Sequence, residues 1–516
     1  MNAPIEQNDK ITRGHWMALS AALLGWLFDG AEMGVFSLVG RPALSDLLNT
    51  TDDKIISFWF GAVTAMFLVG AATGGVLFGW LGDRIGRVRA MMLSVLTYAV
   101  FTGLCGLAAE AWQVATLRFI ASLGMGGEWA LGVALVMEIW PNRSRALLAG
   151  LIGAAANVGY LLIAFVGLAL TNLIGPVANG LSAIGFSDET VQWLTGNQAW
   201  RLLMLSGTAP AALTFLIRLF VPESEKWTAE KAKGSVSSWA TVDLLGVLIG
   251  AAGPAVIVYL WAVDQPLSFL SLELSTSTVM AIRVIGTLLG MIVATVGYSF
   301  PVVRYLQRDA ISNPVGAQPW RPILRRMMLA AGLSAVPLLA TWASVQWAPT
   351  WADKLTDGVM PTAKSWTQIY SALGATLGTI AAALLGGKIG RRLSYVILCV
   401  TSFASIQLLF LGNDAYTYFF LLSVFLAGFC TASFYGWLPL YLPELFPTRV
   451  RATGQGFGFN FGRILAAVGA LQTGNLIRTY FDGDYAMACS IMGSVYLVGI
   501  VLIIFAPETR GKPLPD

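Results

Sequence analysis

The sequence predicts an all-α membrane protein of two six-helix bundles, joined by a connection that carries two extra transmembrane helices. Three observations predict it. The 516 residues are 56% hydrophobic and 12% charged, half the charged share of an ordinary soluble domain, so charge cannot cover a water-facing surface of this size. Apolar runs of about 20 residues, the length that crosses the hydrocarbon core as a helix, recur along the whole chain. Two kinds of short basic loop appear in the same order in both halves.

The polar start, residues 1–14, leads into an apolar run without a small-residue cleavage site, which reads as a retained first span rather than a removed signal peptide. Spans are expected near 16–40, 57–80, 91–109, 113–138, 147–171 and 200–221. Two more follow near 239–262 and 277–300. The last group lies near 327–350, 366–386, 394–411, 416–440, 453–475 and 486–506, making fourteen. Lysine and arginine test the alternation. With the amino terminus inside, 22 fall in cytoplasmic segments and 5 in external ones. The external stretch 172–199 has none, whereas cytoplasmic 301–326 holds Arg304, Arg308, Arg321, Arg325 and Arg326. One missed span would invert this bias for everything after it. The bias holds to the end, so an even count with both termini cytoplasmic is expected.

GWLGDRIGRVRA (79–90) follows the second span and GGKIGRRL (386–393) the tenth; MEIWPNRSRALLAG (137–150) follows the fourth and PELFPTRVRATGQG (443–456) the twelfth. Related hairpins in matching order mark a transporter built from two repeats, with its site between them at mid-membrane. The expected units are a first bundle over 1–222, a central connection over 223–326 with two inserted helices that have no repeat partner, and a second bundle over 327–516.

These segments resemble the major facilitator superfamily over nearly the whole chain. Its loop motif is matched by Gly79, Gly82, Asp83, Arg84, Gly86 and Arg87, and its fourth-span motif by Arg118, Gly124, Gly126 and Gly127. Asp29-Gly30-Ala31-Glu32 resembles the D-G-aromatic-D of organic-acid symporters. GEWALGVALVMEIWPNRSR (127–145), Trp200-Arg201, VPESEKW (221–227), Trp342, Gln346 and Pro349 are similar to bacterial sialic-acid symporters, which also have fourteen spans with two inserted centrally. The tail APETRGKPLP (506–515) looks like that of the sugar porters.

The loop from Gly82 to Arg87 has glycines that permit a tight turn, and an acid and bases able to pair with neighbouring helix ends. The resemblance implies a conformational latch of Gly82, Asp83, Arg84, Gly86 and Arg87, with Glu138, Arg145, Arg391, Glu444 and Arg451 from the related loops. The plainer reading is topological: basic residues hold the loop inside. In the second half Gly387 stands where the first has its acid, so that copy lacks the same ion pair.

Ionisable residues deep in spans are rare and costly, and point to function. Asp29, Glu32, Arg118, Glu128 and Arg463 are the candidates. Asp29 and Glu32 share a helix face, about 4.5 Å apart in rise. Carboxylates that close in low dielectric do not both ionise easily, which suits a proton carrier; alternatively one of them neutralises an arginine. Arg118 is a candidate for the substrate or for a buried ion pair with the first span, and Glu128 a second proton site or a packing partner. Arg283, Arg201 and Arg218 snorkel more often than they bind. Aligning the loop repeats places Arg463 opposite Asn157, with Asn460 nearly one turn before it. A mid-membrane guanidinium facing an amide suits a carboxylate, and organic-acid symporters resemble this chain in carrying an arginine here. Trp342, Trp347, Trp351, Tyr435 and Trp437 could stack on a substrate ring, with Gln346 bonding hydroxyls, or could anchor and pack.

No nucleotide loop, metal-ligand spacing or nucleophile with a histidine partner occurs. Cys105, Cys399, Cys430 and Cys489 lie in apolar runs as packing residues, and the single histidine, His15, precedes the first span. The expectation is therefore not an enzyme but a proton-coupled symporter of a small carboxylate such as sialic acid or a sugar acid. It would be monomeric in a bacterial inner membrane, with the proton as coupling ion, no other cofactor and no nucleic-acid partner. A neutral-sugar carrier and a transporter-like sensor are the alternatives.

Overall fold

Lipid offers backbone polar groups no partner, so apolar runs must pair them internally as helices. The chain is helical accordingly. A computed structural model describes residues 11–263, 275–312, 318–357, 359–360 and 362–515. The first half holds α1 (Arg13–Leu47), α2 (Asp53–Ile85), α3 (Arg87–Cys105), α4 (Ala111–Ile139), α5 (Arg145–Ala183), α6 (Asp188–Ser206) and α7 (Ala211–Phe220). The connection carries the short α8 (Glu225–Ala232) and the long α9 (Leu244–Ala262) and α10 (Thr276–Ser312). The second half begins with α11 (Trp320–Ala343), α12 (Ala348–Leu355), α13 (Ala363–Ile389), α14 (Arg391–Leu411) and α15 (Tyr418–Ala432). It ends with α16 (Phe434–Tyr441), α17 (Arg451–Asn460), α18 (Gly462–Asn475), α19 (Tyr485–Gly493) and α20 (Tyr496–Leu502).

Among the described residues, twelve helical stretches are long and apolar enough to cross a membrane. The spans expected at 200–221 and 453–475 are not among them. The first is interrupted by a turn over 207–210, after a kink at which Asn197, Gln198 and Ala199 take positive φ of 47°, 62° and 53°. The second breaks at Phe461 between α17 and α18, and its first half carries Thr453, Gln455 and Asn460 where a span would be apolar. Helices also outrun the expected spans. α5 continues to Ala183 and α10 to Ser312, because backbone pairing does not stop where the hydropathy does.

α2 and α3 abut through Gly86 at φ 111°, and α13 and α14 through Gly390 at φ 100°, a conformation only glycine adopts freely. These matching corners set the loop repeats at one end of each bundle. The bundles meet along α5 with α13, and along α2 with α17 and α18.

The inserted helices α9 and α10 pack closely on each other: a Cβ on Gly253 would overlap the backbone of Gly290, and one on Gly297 that of Gly250. Small residues permit this approach in membranes. Their outer face exposes Leu245, Leu248, Ile249, Ile285, Leu288 and Ile292 by 56–67%, as a lipid-facing surface would. Their inner face is fastened to both bundles. The Tyr298 hydroxyl lies 2.7 Å from Thr73 Oγ1 on α2, Trp239 stacks on Tyr305 at 4.2 Å, and Asp309 pairs with Arg449 of the second bundle at 2.6 Å.

Candidate functional site

The deep charges gather where α1, α4 and α18 meet. Arg118 on α4 sits 2.8 Å from Glu32 on α1, with its guanidinium 4.4 Å and 4.8 Å from the ring centres of Phe36 and Phe67. Thr102 donates to the same Glu32 oxygen at 3.3 Å. Both members are buried, so each depends on the other. Asp29, one turn earlier on α1, instead faces Glu128 of α4, within reach of a side-chain hydrogen bond. Gly25 makes room for this: a Cβ there would overlap Glu128 Oε1. Among the described residues one oxygen of each acid, Asp29 Oδ1 and Glu128 Oε2, has no hydrogen-bond partner, and neither has the Tyr98 hydroxyl on α3, whose field neighbours are Glu128, Asp29 and Glu32.

Arg463 supplies the opposing charge from the second bundle, with Asp29 the acid it feels. It closes no ion pair among the described residues. Its guanidinium lies 5.6 Å over the Phe459 ring, with Met125 Sδ at 3.9 Å. Beside it the two bundles interlock. Phe459 stacks on Trp129 at 3.9 Å, and Asn460 donates to Gly126 O at 3.0 Å and to Gly456 O at 3.1 Å. Gln455 donates to Ala130 O, and Gln368 to the Tyr160 hydroxyl at 3.1 Å.

Other candidates fall elsewhere. Asn157 donates to Gly153 O of its own helix at 3.0 Å and makes no hydrogen bond to Arg463 among the described residues. Gln346 is exposed in the short turn Val345–Trp347. Trp342, like Met33 and Phe119, packs against a buried cluster to which both bundles contribute, Met125 from one and Ala467 from the other. Trp351 and Trp437 are core residues, 5% and 0% exposed.

The basic loops form a second constellation. Asp83 accepts from Arg87 at 2.8 Å and caps α17 across the bundle boundary, taking Thr453 N at 2.9 Å and Thr453 Oγ1 at 2.6 Å. Arg87 also donates to Thr448 O at 2.7 Å. Glu138 holds two arginines, Arg87 at 3.1 Å and Arg451 at 2.7 Å. Arg391 holds Glu444 at 2.5 Å, and Gly387, in place of an acid, faces Ala146. Arg145 donates to Met137 O at 3.1 Å. Arg84 points to the connection instead, donating to Thr241 at 2.6 Å and lying over Trp80. These contacts hold the two bundles together at this end of the molecule. Asp83→Asn puts an amide N–H against the donors of α17 and is expected to open it, raising thiol labelling of a cysteine placed at Ala146 severalfold; Asp309→Asn is expected to act in the same direction, more weakly. Labelling unchanged in both variants counts against a latch.

A third repeat escaped the loop comparison: Pro222-Glu223-Ser224 and Pro507-Glu508-Thr509. Glu223 accepts the N–H groups opening α3, from Arg87 at 2.9 Å and Val88 at 3.2 Å. Glu508 accepts those opening α14, from Arg391 at 2.9 Å and Arg392 at 3.1 Å. Ser224 donates to Glu138 and Thr509 to Glu444, each at 2.5 Å. The two tripeptides were visible as a pattern, but their partners lie far off in sequence. Burial raises the Glu508 carboxyl, but the backbone N–H groups of Arg391, Arg392, Arg510 and Thr509 outweigh it and hold the group below its ordinary value. Its contribution is therefore present at neutral pH and lost only as pH falls through that depressed value. Glu508→Gln should lower the melting temperature near pH 7, with the difference closing in strong acid.

A family model described as sugar (and other) transporter matches residues 16–243 and 319–515. The unmatched interval contains α9 and α10. A putative metabolite transport protein of Haemophilus influenzae is 25% identical, covering 98% of this chain and 99% of its own. The cis,cis-muconate transport protein of Acinetobacter baylyi is 24% identical over 98% of each chain. The sialic acid transporter NanX of Escherichia coli is 23% identical, over 96% of this chain and 94% of its own. Among solved structures, the proton:xylose symporter XylE aligns with a TM-score of 0.64 at 18% identity, covering 97% of this chain and 98% of XylE, a likeness of fold.

Proposed function

The chain belongs to the sugar (and other) transporter family and is a multi-pass major facilitator transporter, and from that premise we propose that it is a proton-coupled symporter of a small organic anion. The observation that carries this reading is Arg463: a mid-membrane guanidinium from one bundle, turned toward Asp29 of the other and closing no ion pair among the described residues. A planar fork of that kind suits a carboxylate. Asp29 and Glu128, face to face and incompletely partnered, supply groups able to share a proton. Relatives whose names specify muconate and sialic acid, both carboxylates, support the same class.

In this reading the bundles rock about the site, and breaking the Asp83, Arg87 and Glu138 contacts opens the latched end to the cytoplasm. The chain crosses a bacterial inner membrane fourteen times, the interrupted α6–α7 and α17–α18 each completing one crossing, with both termini inside. Reporter fusions after residues 230 and 312 should read cytoplasmic and one near 268, outside the described residues, external. A cytoplasmic signal at 268 removes the inserted pair from the topology. The decisive functional experiment is uptake into proteoliposomes holding the purified chain. Labelled muconate, sialic acid, sugar acids and hexoses are offered with and without an inward proton gradient. Gradient-dependent accumulation of a carboxylate is expected. Gradient-independent hexose equilibration would identify a neutral-sugar carrier, and no uptake of any kind a sensor.

A further inference from the structure

Behind Arg463 the second bundle buries hydroxyls that the proposed coupling does not use. Thr341 Oγ1 on α11 and the Tyr496 hydroxyl on α20 are both buried and close no hydrogen bond of good geometry among the described residues, and Tyr496 is 0% exposed. Its ring stacks on Phe434, 5.5 Å away at 14°. Tyr435 on α16 completes the group. Its ring meets Phe459 edge-on at 6.3 Å, and Phe459 is the ring on which the Arg463 guanidinium lies. Thr341 stands within reach of both tyrosine hydroxyls, and Tyr435 within the field of Arg463. Three hydroxyls from three helices therefore gather around Thr341, and the Tyr435 member lies beside the Arg463 guanidinium.

Packing alone does not account for them. A buried hydroxyl without a partner is costly, and phenylalanine or valine would fill the same space at no such cost. Hydroxyls both donate and accept, so the cluster can serve an alcohol, a carbonyl or a ring oxygen equally.

We propose that Thr341, Tyr435 and Tyr496 form a specificity subsite that recognises a second oxygen function on a carboxylate whose acid group is held by Arg463. This inference rests on the organic-anion reading above and narrows it: the substrate class is an oxygenated carboxylate, such as a hydroxy acid, keto acid or lactone acid. A site built to bond a substrate hydroxyl rejects the analogue that lacks it, because its own polar groups are then left unpaired.

The test is inhibition of transport in proteoliposomes by matched acids, gluconate against hexanoate and 4-hydroxybenzoate against benzoate. In the unmodified chain the oxygenated member of at least one pair should inhibit tenfold better or more. Thr341→Val and Tyr435→Phe should bring that ratio toward one, and so should Tyr496→Phe, with melting temperatures reported for each to confirm folding. Arg463→Lys should weaken both members of the pair alike and leave the ratio standing. The proposal is overturned by a ratio near one in the unmodified chain. It is equally overturned if folded hydroxyl variants keep the ratio, or lose affinity for both members equally, as a merely structural role would give. If no carboxylate inhibits at all, the organic-anion reading falls and takes this one with it. Carboxylates that bind without preference defeat only the subsite.

Discussion

Arg463→Lys is expected to insert and fold normally while losing at least tenfold in carboxylate affinity, about 1.4 kcal/mol. Lysine keeps the charge and gives up the planar two-pronged donor that matches a carboxylate. The surroundings explain why the fold should tolerate the exchange. The guanidinium rests on the Phe459 ring and beside Met125 Sδ, contacts that an aliphatic stem with a terminal ammonium partly preserves. No internal ion pair is broken, since none is closed among the described residues. The measurements are binding by the purified protein and thermal unfolding of the same preparation. Unchanged affinity in a folded Arg463→Lys protein would show that the side chain does not meet the anion. Loss of folding that is restored by Asp29→Asn would make Arg463 a permanent structural partner instead.

Asp29→Asn is expected to abolish accumulation driven by a proton gradient while leaving exchange of substrate across the membrane. Around this site the first bundle places three buried carboxyls, Asp29, Glu32 and Glu128, and Glu32 is committed to Arg118. Asp29 and Glu128 are left facing each other with Arg463 as the remaining cation. One added proton balances that set. A bound anion draws Arg463 toward itself, which makes a proton on the facing acids more favourable, so each ligand improves the other's binding. Moving the two together also avoids carrying net charge against the potential, about 2.3 kcal/mol per charge per 100 mV. Glu32→Gln is a control with a different outcome. It strands Arg118 in the bilayer interior, where an unpaired buried charge costs about 3–5 kcal/mol, so a fall in melting temperature is expected rather than clean uncoupling. Full gradient-driven uptake in both Asp29→Asn and Glu128→Gln would remove these acids from the coupling path.

The sequence by itself determined what depends on local composition. Apolar runs longer than a bilayer is thick, basic loops alternating with bare ones, and two matched hairpins were enough for a helical membrane protein in two related halves with a central insertion. The same reasoning picked out Asp29, Glu32, Arg118, Glu128 and Arg463, because a charge in such a run has no local explanation. Interrupted helices were less legible: hydropathy averages over a window and passes through the kink after Gly196 and the break at Phe461. Partner choice was not legible at all. Two acids three residues apart on α1 invite pairing with each other, yet only tertiary structure gave Glu32 to Arg118 and Asp29 to Glu128. Only tertiary structure, too, set Asp83 of one bundle on the first turn of α17 in the other and joined Glu508 to the start of α14. A membrane helix fixes its own length and faces from neighbouring residues. Which buried charge it meets depends on how it is rotated and set against helices hundreds of residues away, and the packing of small residues such as Gly25 decides that.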